Sequence, residues 1–327
     1  MSFVKLLLIS QIYYFCITNL GAENHAANLR FVRIEVMNIL VTGANGQLGR
    51  ELRRASLYSN EHFIFSDISG TPGEEIVYLD VADKEAVELI AESEKIDLII
   101  NCAAFTNVDK SEDDLYMADL LNHQAPRFLA EVSRERGARL IHISTDYVFD
   151  GWNHSIPYRE VDEPQPCNAY GATKLAGESE VIKSGCEYII IRTAWMYSAH
   201  GKNFMKTILN IVQQGKSPKV VFDSVGTPTF AGDLADAIMH IIDAGLLGRK
   251  GLYHYSNEGV ASWYDFAEAV CRISGSDVSV QPVLGEEYPT KARRPSYSVL
   301  DKSLFKSTFG VEIPYWRDSL EKCMKSL

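Results

Sequence analysis

The 327-residue sequence has no CxxC pair. Its six cysteines (Cys16, Cys102, Cys167, Cys186, Cys271, Cys323) are scattered without a regular framework. That excludes a zinc ribbon, a thioredoxin-like redox motif and a disulfide scaffold, and it fits thiols kept reduced. No His/Cys cluster offers a transition-metal site. Positive charge is short as well: 32 Lys and Arg against 43 Asp and Glu leave a net charge of −11. This argues against a nucleic-acid surface, which needs clustered bases, but leaves room for a local basic pocket that takes a phosphorylated small molecule. Internal repeats and low-complexity tracts are absent. Beyond residue 36 no apolar run is long enough to cross a bilayer. What is present is an ordinary globular composition, 46% apolar, in a chain long enough for a large core and one or two domains.

Residues 1–36 stand apart. Lys5 precedes the run Leu6-Leu7-Leu8-Ile9-Ser10-Gln11-Ile12-Tyr13-Tyr14-Phe15-Cys16-Ile17, and Gly21-Ala22 follows. The pattern is similar to a secretory signal, and it is too short and interrupted for a membrane span. The competing reading makes Met37 the true start, because a buried strand begins at Asn38.

From Met37 short apolar runs alternate with helical periodicity. Asn38-Ile39-Leu40-Val41-Thr42, His62 to Asp67, Ile76 to Asp80, Ile96 to Asn101, Arg139 to Ile143 and Tyr188 to Arg192 read as six strands. Residues 47–54, 83–92 (with Asp83 as N-cap) and 113–136 read as helices between them. Strands apolar on both faces and separated by helices predict a parallel sheet covered on both sides, a doubly wound α/β (Rossmann) architecture over residues 37–192. After Arg192 the pattern loosens into segments rich in Gly, Pro and polar residues, with helices predicted at 232–244 and 262–273. Residues 193–327 are expected to form mainly a smaller substrate-binding region, with loops from 150–166 contributing.

Three groups carry chemistry. Gly43-Ala44-Asn45-Gly46-Gln47-Leu48-Gly49 lies between an apolar strand and a helix. Such a loop lets a pyrophosphate approach the backbone at a helix N-terminus. Asp67 ends the second strand, where a carboxylate binds the adenosine ribose hydroxyls of a dinucleotide; it repels a 2′-phosphate, so NADH is expected to be accepted. Asp80 and Val81 lie where an adenine contact is expected, and Asp80 reads equally as a polar residue leading into the next helix. Ala103, Ala104 and Phe105 follow the fourth strand, where small residues let the backbone pass close under a cofactor. Ser144-Thr145-Asp146 follows the fifth strand. Tyr170 and Lys174, four residues apart, share one helix face. There the ammonium is expected to favour the phenolate and make Tyr170 a better proton donor, while Thr145 polarises a carbonyl oxygen. Together these groups describe hydride transfer at a carbonyl or carbinol.

The same segments carry a resemblance. From Met37 onward the chain resembles the extended short-chain dehydrogenase/reductases, and within them it is similar to the dTDP-4-dehydrorhamnose reductase family. The matching pieces are Gly43 to Gly49, Asn101 to Thr106 with Val108-Asp109-Lys110, Ser144 to Phe149, and Tyr170-Gly171-Ala172-Thr173-Lys174-Leu175-Ala176-Gly177-Glu178. Arg192 to Tyr197, Asn203-Phe204, Gly226 to Thr229 and Arg294 to Ser298 complete the set.

The resemblance implies NADPH or NADH as cofactor and a dTDP-sugar as substrate, reduced at a 4-keto group in a pathway of cell-surface polysaccharide supply. It implies a cytoplasmic location, no membrane or nucleic-acid partner, and allows a homodimer. Tyr170 would be the proton donor, Lys174 its cofactor-binding partner and Thr145 the third catalytic group. Gly43, Asn45, Gly46, Gln47, Leu48, Gly49 and Ser144 would join Asp67, Asp80, Val81, Ala103, Ala104 and Phe105 at the cofactor. Thr106, Thr145, Asp146, Tyr147 and Trp195 would touch the sugar, and Arg294 the nucleotide diphosphate. Phe105 departs from the family, which often has His there. Some members bind Mg²⁺ through glutamates at a dimer interface; Glu51 matches one such position, but neither Gln213-Gln214 nor Arg317 completes a ligand set, so no metal site is assigned. Two other readings remain in view: a non-catalytic dinucleotide-binding subunit resembling the regulatory subunit of methionine adenosyltransferase, and an epimerase or dehydratase on another nucleotide sugar.

Overall fold

The computed structural model describes residues 36–70, 73, 75–152 and 155–327. The reading of the N-terminal extension therefore lies, Val36 aside, outside the described residues. Six strands follow in chain order: β1 (Asn38–Thr42), β2 (His62–Asp67), β3 (Val77–Tyr78), β4 (Leu98–Asn101), β5 (Arg139–Thr145) and β6 (Glu187–Thr193). They form one parallel sheet in the order β6-β5-β4-β1-β2-β3, and the strand Gly251–His254 pairs parallel with β6 at its edge. The sheet thus draws a strand from beyond residue 192. In sequence that strand is only four residues of mixed polarity, too weak a signal to stand out.

Alternation along each strand fills two cores. Ile39, Val41, Leu98, Ile100, Ile141, Ile189 and Ile191 point to one face, under Leu48 and Leu52 of the helix Gln47–Ser56 and Leu234 and Ile238 of the helix Ala231–Asp243. Leu40, Ile99, Leu140 and Ile190 point to the other, under Val87, Leu129 and Val181. Each such side chain contributes roughly 1.5–3 kcal/mol by leaving water. Residues after 192 build a further core around Tyr197, Met205, Phe266, Trp316 and Leu320.

Strand order reverses beside β1: β2 and β3 lie on one side, β4 to β6 on the other. The crevice at the carboxyl ends of β1 and β4 is the place where open α/β sheets bind ligands.

Two local differences from the sequence reading matter. Strand β3 is cut to two residues. The single helix expected over 113–136 is instead a helix Leu115–Asp119, a π-helical turn Leu120–Gln124 and a helix Ala125–Arg136. Pro126 has no N–H for the carbonyl one turn back, so a regular α ladder cannot run through this point. The π turn places Asn122 where it is wholly buried; its amide accepts from Phe105 N (2.9 Å) and donates to Phe105 O (3.1 Å) and Thr173 Oγ1 (3.2 Å).

Candidate active site

A cavity of about 710 Å³ opens along the carboxyl edge of the sheet. Its floor is the turn after β1. Gly43 has φ +66°, and a Cβ there would lie 2.7 Å from Ala103 N, so this backbone conformation and close approach require glycine. The helix Gln47–Ser56 then begins at Gly46 with no side-chain cap and no acidic residue in its first turn. Its N–H groups and positive dipole end are left for an anion. A Cβ on Gly49 would sit 2.4 Å from Gly43 O, so the helix packs directly on the turn. These features fit a dinucleotide pyrophosphate.

Gly43, Gly46, Gln47, Leu48, Gly49, Asp67, Asp80, Val81, Ala103 and Ala104 all line this cavity. The Asp67 carboxylate at the end of β2 accepts from Asn45 N (3.0 Å), Ser69 N (3.1 Å) and Ser69 Oγ (3.0 Å). Two cofactor candidates are placed elsewhere. Asn45 turns its side chain to Ser69 O (2.6 Å) and shapes the loop around Asp67. Phe105 is not among the lining residues: its backbone is held by Asn122 and its ring lies 5.8 Å from the Lys110 ammonium.

The opposite wall comes from β5 and the helix Ala169–Ser184. Asn168 caps that helix, accepting from Gly171 N at 2.8 Å. Gly171 lets the helix press onto the backbone of the turn after β5, since a Cβ there would be 2.0 Å from Tyr147 O. Tyr170 and Lys174 consequently face the cavity together with Ser144, Thr145, Asp146 and Tyr147. Thr145 Oγ1 accepts from Tyr147 N (3.1 Å) and donates to Asp146 Oδ1 (3.1 Å). The rings of Tyr147 and Tyr170 meet edge to face at 5.8 Å. Thr106 and Trp195 complete the predicted lining.

A family model for the RmlD substrate binding domain matches residues 37–327. The dTDP-4-dehydrorhamnose reductase of Burkholderia thailandensis is 37% identical over 305 residues, covering 89% of this chain and 99% of the relative. Among solved structures, a dTDP-4-dehydrorhamnose reductase from Clostridium acetobutylicum superposes with a TM-score of 0.82 at 41% identity, covering 89% of this chain and 99% of that one. The Bacillus anthracis dTDP-4-dehydrorhamnose reductase, solved in complex with NADP, gives 0.81 at 33% identity, covering 89% of this chain and all (100%) of that one. The chain belongs to the RmlD family.

Electrostatics in this RmlD-family site correct one expectation. The Tyr170 phenol is not lowered by its lysine; burial pushes it up to about 12, the Thr145 hydroxyl pulls it down and the Asp146 carboxylate pushes it up. The Lys174 ammonium instead donates to Ile143 O at 2.6 Å, and burial lowers it to about 8 against the pull of Glu178. Burial also raises Asp146 to about 7, while the neighbouring Ser298 and Thr145 hydroxyls favour its charged form.

Arg294 is a third residue placed away from the cavity lining. It forks onto Asp109 (Nη2–Oδ2 2.9 Å, Nη1–Oδ1 3.2 Å) and is not among the cavity-lining residues. Its guanidinium holds Asp109 below the usual carboxylate range. Among the described residues no group of three or more His, Cys, Asp or Glu could hold a metal ion, and Glu51 is buried against Arg54 (2.9 Å). No helix among them is long and apolar enough to cross a membrane.

Sequence reasoning missed Trp263. Its ring stacks on Trp195 at 3.6 Å between centroids and 10° between planes, and it too lines the cavity. Trp195 holds φ +46°, a strained conformation for an aromatic residue. No local pattern links these two tryptophans; only the tertiary fold does. Asn122 was likewise missed, though Pro126 inside a helical pattern was a usable signal.

Proposed function

We propose that this chain is an NADPH- or NADH-dependent reductase that converts the 4-keto group of dTDP-4-dehydro-L-rhamnose to the alcohol of dTDP-L-rhamnose, in nucleotide-sugar supply for cell-surface polysaccharide. The observation that carries this reading is a single cavity in which an uncapped helix N-terminus and Asp67 lie at one end and Thr145, Tyr170 and Lys174 at the other. A bound reduced nicotinamide supplies a hydride.

The protein's own groups handle binding and the proton. The amides at the start of the helix Gln47–Ser56 hold the pyrophosphate, and Asp67 takes ribose hydroxyls. Lys174, already donating to Ile143 O, would hold a further ribose hydroxyl of the bound cofactor. Thr106, Thr145, Asp146, Tyr147 and the Trp195/Trp263 stack enclose the sugar, and the segment 193–327 supplies much of that wall. Tyr170 donates its proton to the oxygen of the former ketone. A phenol near 12 is fully protonated at neutral pH and still a far stronger acid than the alcohol being formed, so the transfer runs downhill in the reductive direction. The Thr145 hydroxyl steadies the same oxygen. Arg294, held on Asp109 beside the cavity-lining Tyr147, would meet the nucleotide diphosphate at the edge of the site.

Reduced thiols and a soluble dinucleotide cofactor support a cytoplasmic location, and the net charge of −11 supports a role without nucleic acid. A homodimer belongs to this reading as an expectation. The test is incubation of the full chain with the dTDP-4-keto sugar and each reduced cofactor, with mass spectrometry of the product. Cofactor oxidation coupled to dTDP-rhamnose formation is expected; binding of the sugar without any oxidation overturns the assignment.

A further inference from the structure

Glu178 lies one turn beyond Lys174 on the helix Ala169–Ser184 and is 1% exposed. Three donors converge on its carboxylate. Ser144 Oγ donates to Oε1 at 2.5 Å, Arg192 Nε to Oε1 at 2.9 Å and Arg192 Nη2 to Oε2 at 2.7 Å. Ser144 is the residue before Thr145 on β5, and Arg192 stands near the end of β6. Glu178 is absent from the cavity lining, so it touches neither substrate nor cofactor.

A buried ion pair is weak evidence for stability, because apolar residues of the same volume often serve as well. The placement of this one is specific. One side chain fastens the ends of two strands to the helix that bears Tyr170 and Lys174. Among the described residues it is also the acidic side chain that acts most on Lys174. Among the described residues the Cys102 thiol, raised to about 12, and His142, which burial keeps neutral, also interact with the ammonium, and the Tyr170 phenol faces the same cavity one turn earlier. Arg192, the cation paired to that carboxylate, also lies over the Phe149 ring at 5.1 Å and 3.5 Å from His254 Nε2.

Resting on the reductase reading above, we propose that Glu178 is a positioning residue for the reaction: its carboxylate locks the Ser144–Thr145 end of β5 against the Tyr170 helix and is the buried counter-charge that keeps Lys174 an ammonium. Without that charge, the main opposition to burial at Lys174 is lost. Its proton is then lost at lower pH, and with it the donor to the cofactor ribose.

The test is the pH dependence of NADPH affinity, read by cofactor fluorescence without any sugar, in the native chain, Glu178→Gln and Lys174→Met. Glutamine keeps the shape and an acceptor for Ser144 but removes the charge. In the native chain affinity should weaken as pH rises through about 8. In Glu178→Gln the midpoint should move to lower pH by about one unit or more, and in Lys174→Met the dependence should flatten. A lower affinity with an unmoved midpoint overturns the proposal, since a merely structural role predicts that. If Glu178→Gln does not fold by circular dichroism, Glu178→Gln/Arg192→Gln removes the Arg192 cation that the single variant leaves without its partner; a downward shift is still expected, and an unmoved midpoint is again fatal. Failure of the native chain to oxidise NADPH with the keto sugar would remove the reductase reading, while the binding midpoints would still judge Glu178.

Discussion

Lys174 aims its ammonium at the carbonyl oxygen of Ile143, 2.6 Å away, and Tyr170, one turn earlier on the same helix, has the Thr145 hydroxyl and the Asp146 carboxyl as its polar neighbours. The two residues share a helix face and a cavity, yet they are tuned differently: Tyr170 by burial and the turn after β5, Lys174 by burial and by Glu178 on its own helix. This favours Tyr170 as a proton donor held ready, and sets Lys174 as a fixed donor facing the cofactor end.

Replacing Tyr170 with Phe should therefore cut turnover by about 10²–10⁴, the usual worth of a positioned acid, and leave NADPH affinity nearly unchanged. Single-turnover hydride transfer and a fluorescence titration of the cofactor measure the two effects separately. Unchanged turnover would take Tyr170 out of the mechanism.

Lys174 also makes a prediction about stability. Burial lowers it from 10.5 to about 8 in the folded chain. Between those values the unfolded chain binds more protons, so this group makes stability rise with pH across that window; below about 8 its burial costs a constant amount. Urea unfolding of Lys174→Met without cofactor should show the variant's largest gain over the native chain near and below about pH 8, shrinking to nothing by about 10.5. A difference that does not change with pH would mean that Lys174 is not depressed.

Asp67 is expected to bias the cofactor preference. Its carboxylate, fixed by Asn45 N and by Ser69, would face a 2′-phosphate, and two like charges about 4 Å apart in a wet site cost about 1 kcal/mol or more. Asp67→Ser should move the NADPH/NADH ratio of kcat/KM towards NADPH by about tenfold, mostly through KM. No change in the ratio would show that the ribose is held elsewhere.

The parts that could be read from sequence are those set by local spacing. Strands such as Ile39-Leu40-Val41, apolar on both faces, imply a covered parallel sheet; glycine spacing before a helix implies the turn at Gly43; four residues between Tyr170 and Lys174 imply a shared face. What escaped depends on tertiary neighbours. The Trp195/Trp263 stack and the Arg294–Asp109 fork join distant segments. The π turn at Leu120–Gln124 shifts the helical period by one residue, too little for an apolar pattern to register. The raised Tyr170 follows from exclusion of water, which spacing does not encode.

Gly171 offers a test of how closely helix and strand must fit. Any Cβ there would stand 2.0 Å from Tyr147 O and 3.1 Å from Pro166 Cβ, and the first of these neighbours is backbone that cannot swing aside. Gly171→Ala must push the start of the helix Ala169–Ser184 away from the turn after β5, carrying Tyr170 with it while Lys174, a turn further on, remains anchored to Ile143 O. A misplacement of about 1 Å can cost about 10²-fold in rate. Turnover should fall by about that factor and thermal stability should drop, whereas NADPH affinity, set largely at the distant Gly43–Gly49 end, should change severalfold at most. If Gly171→Ala keeps full turnover, the tight approach of helix to turn is not what aims the phenol, and Tyr170 must be positioned by the sugar itself on binding.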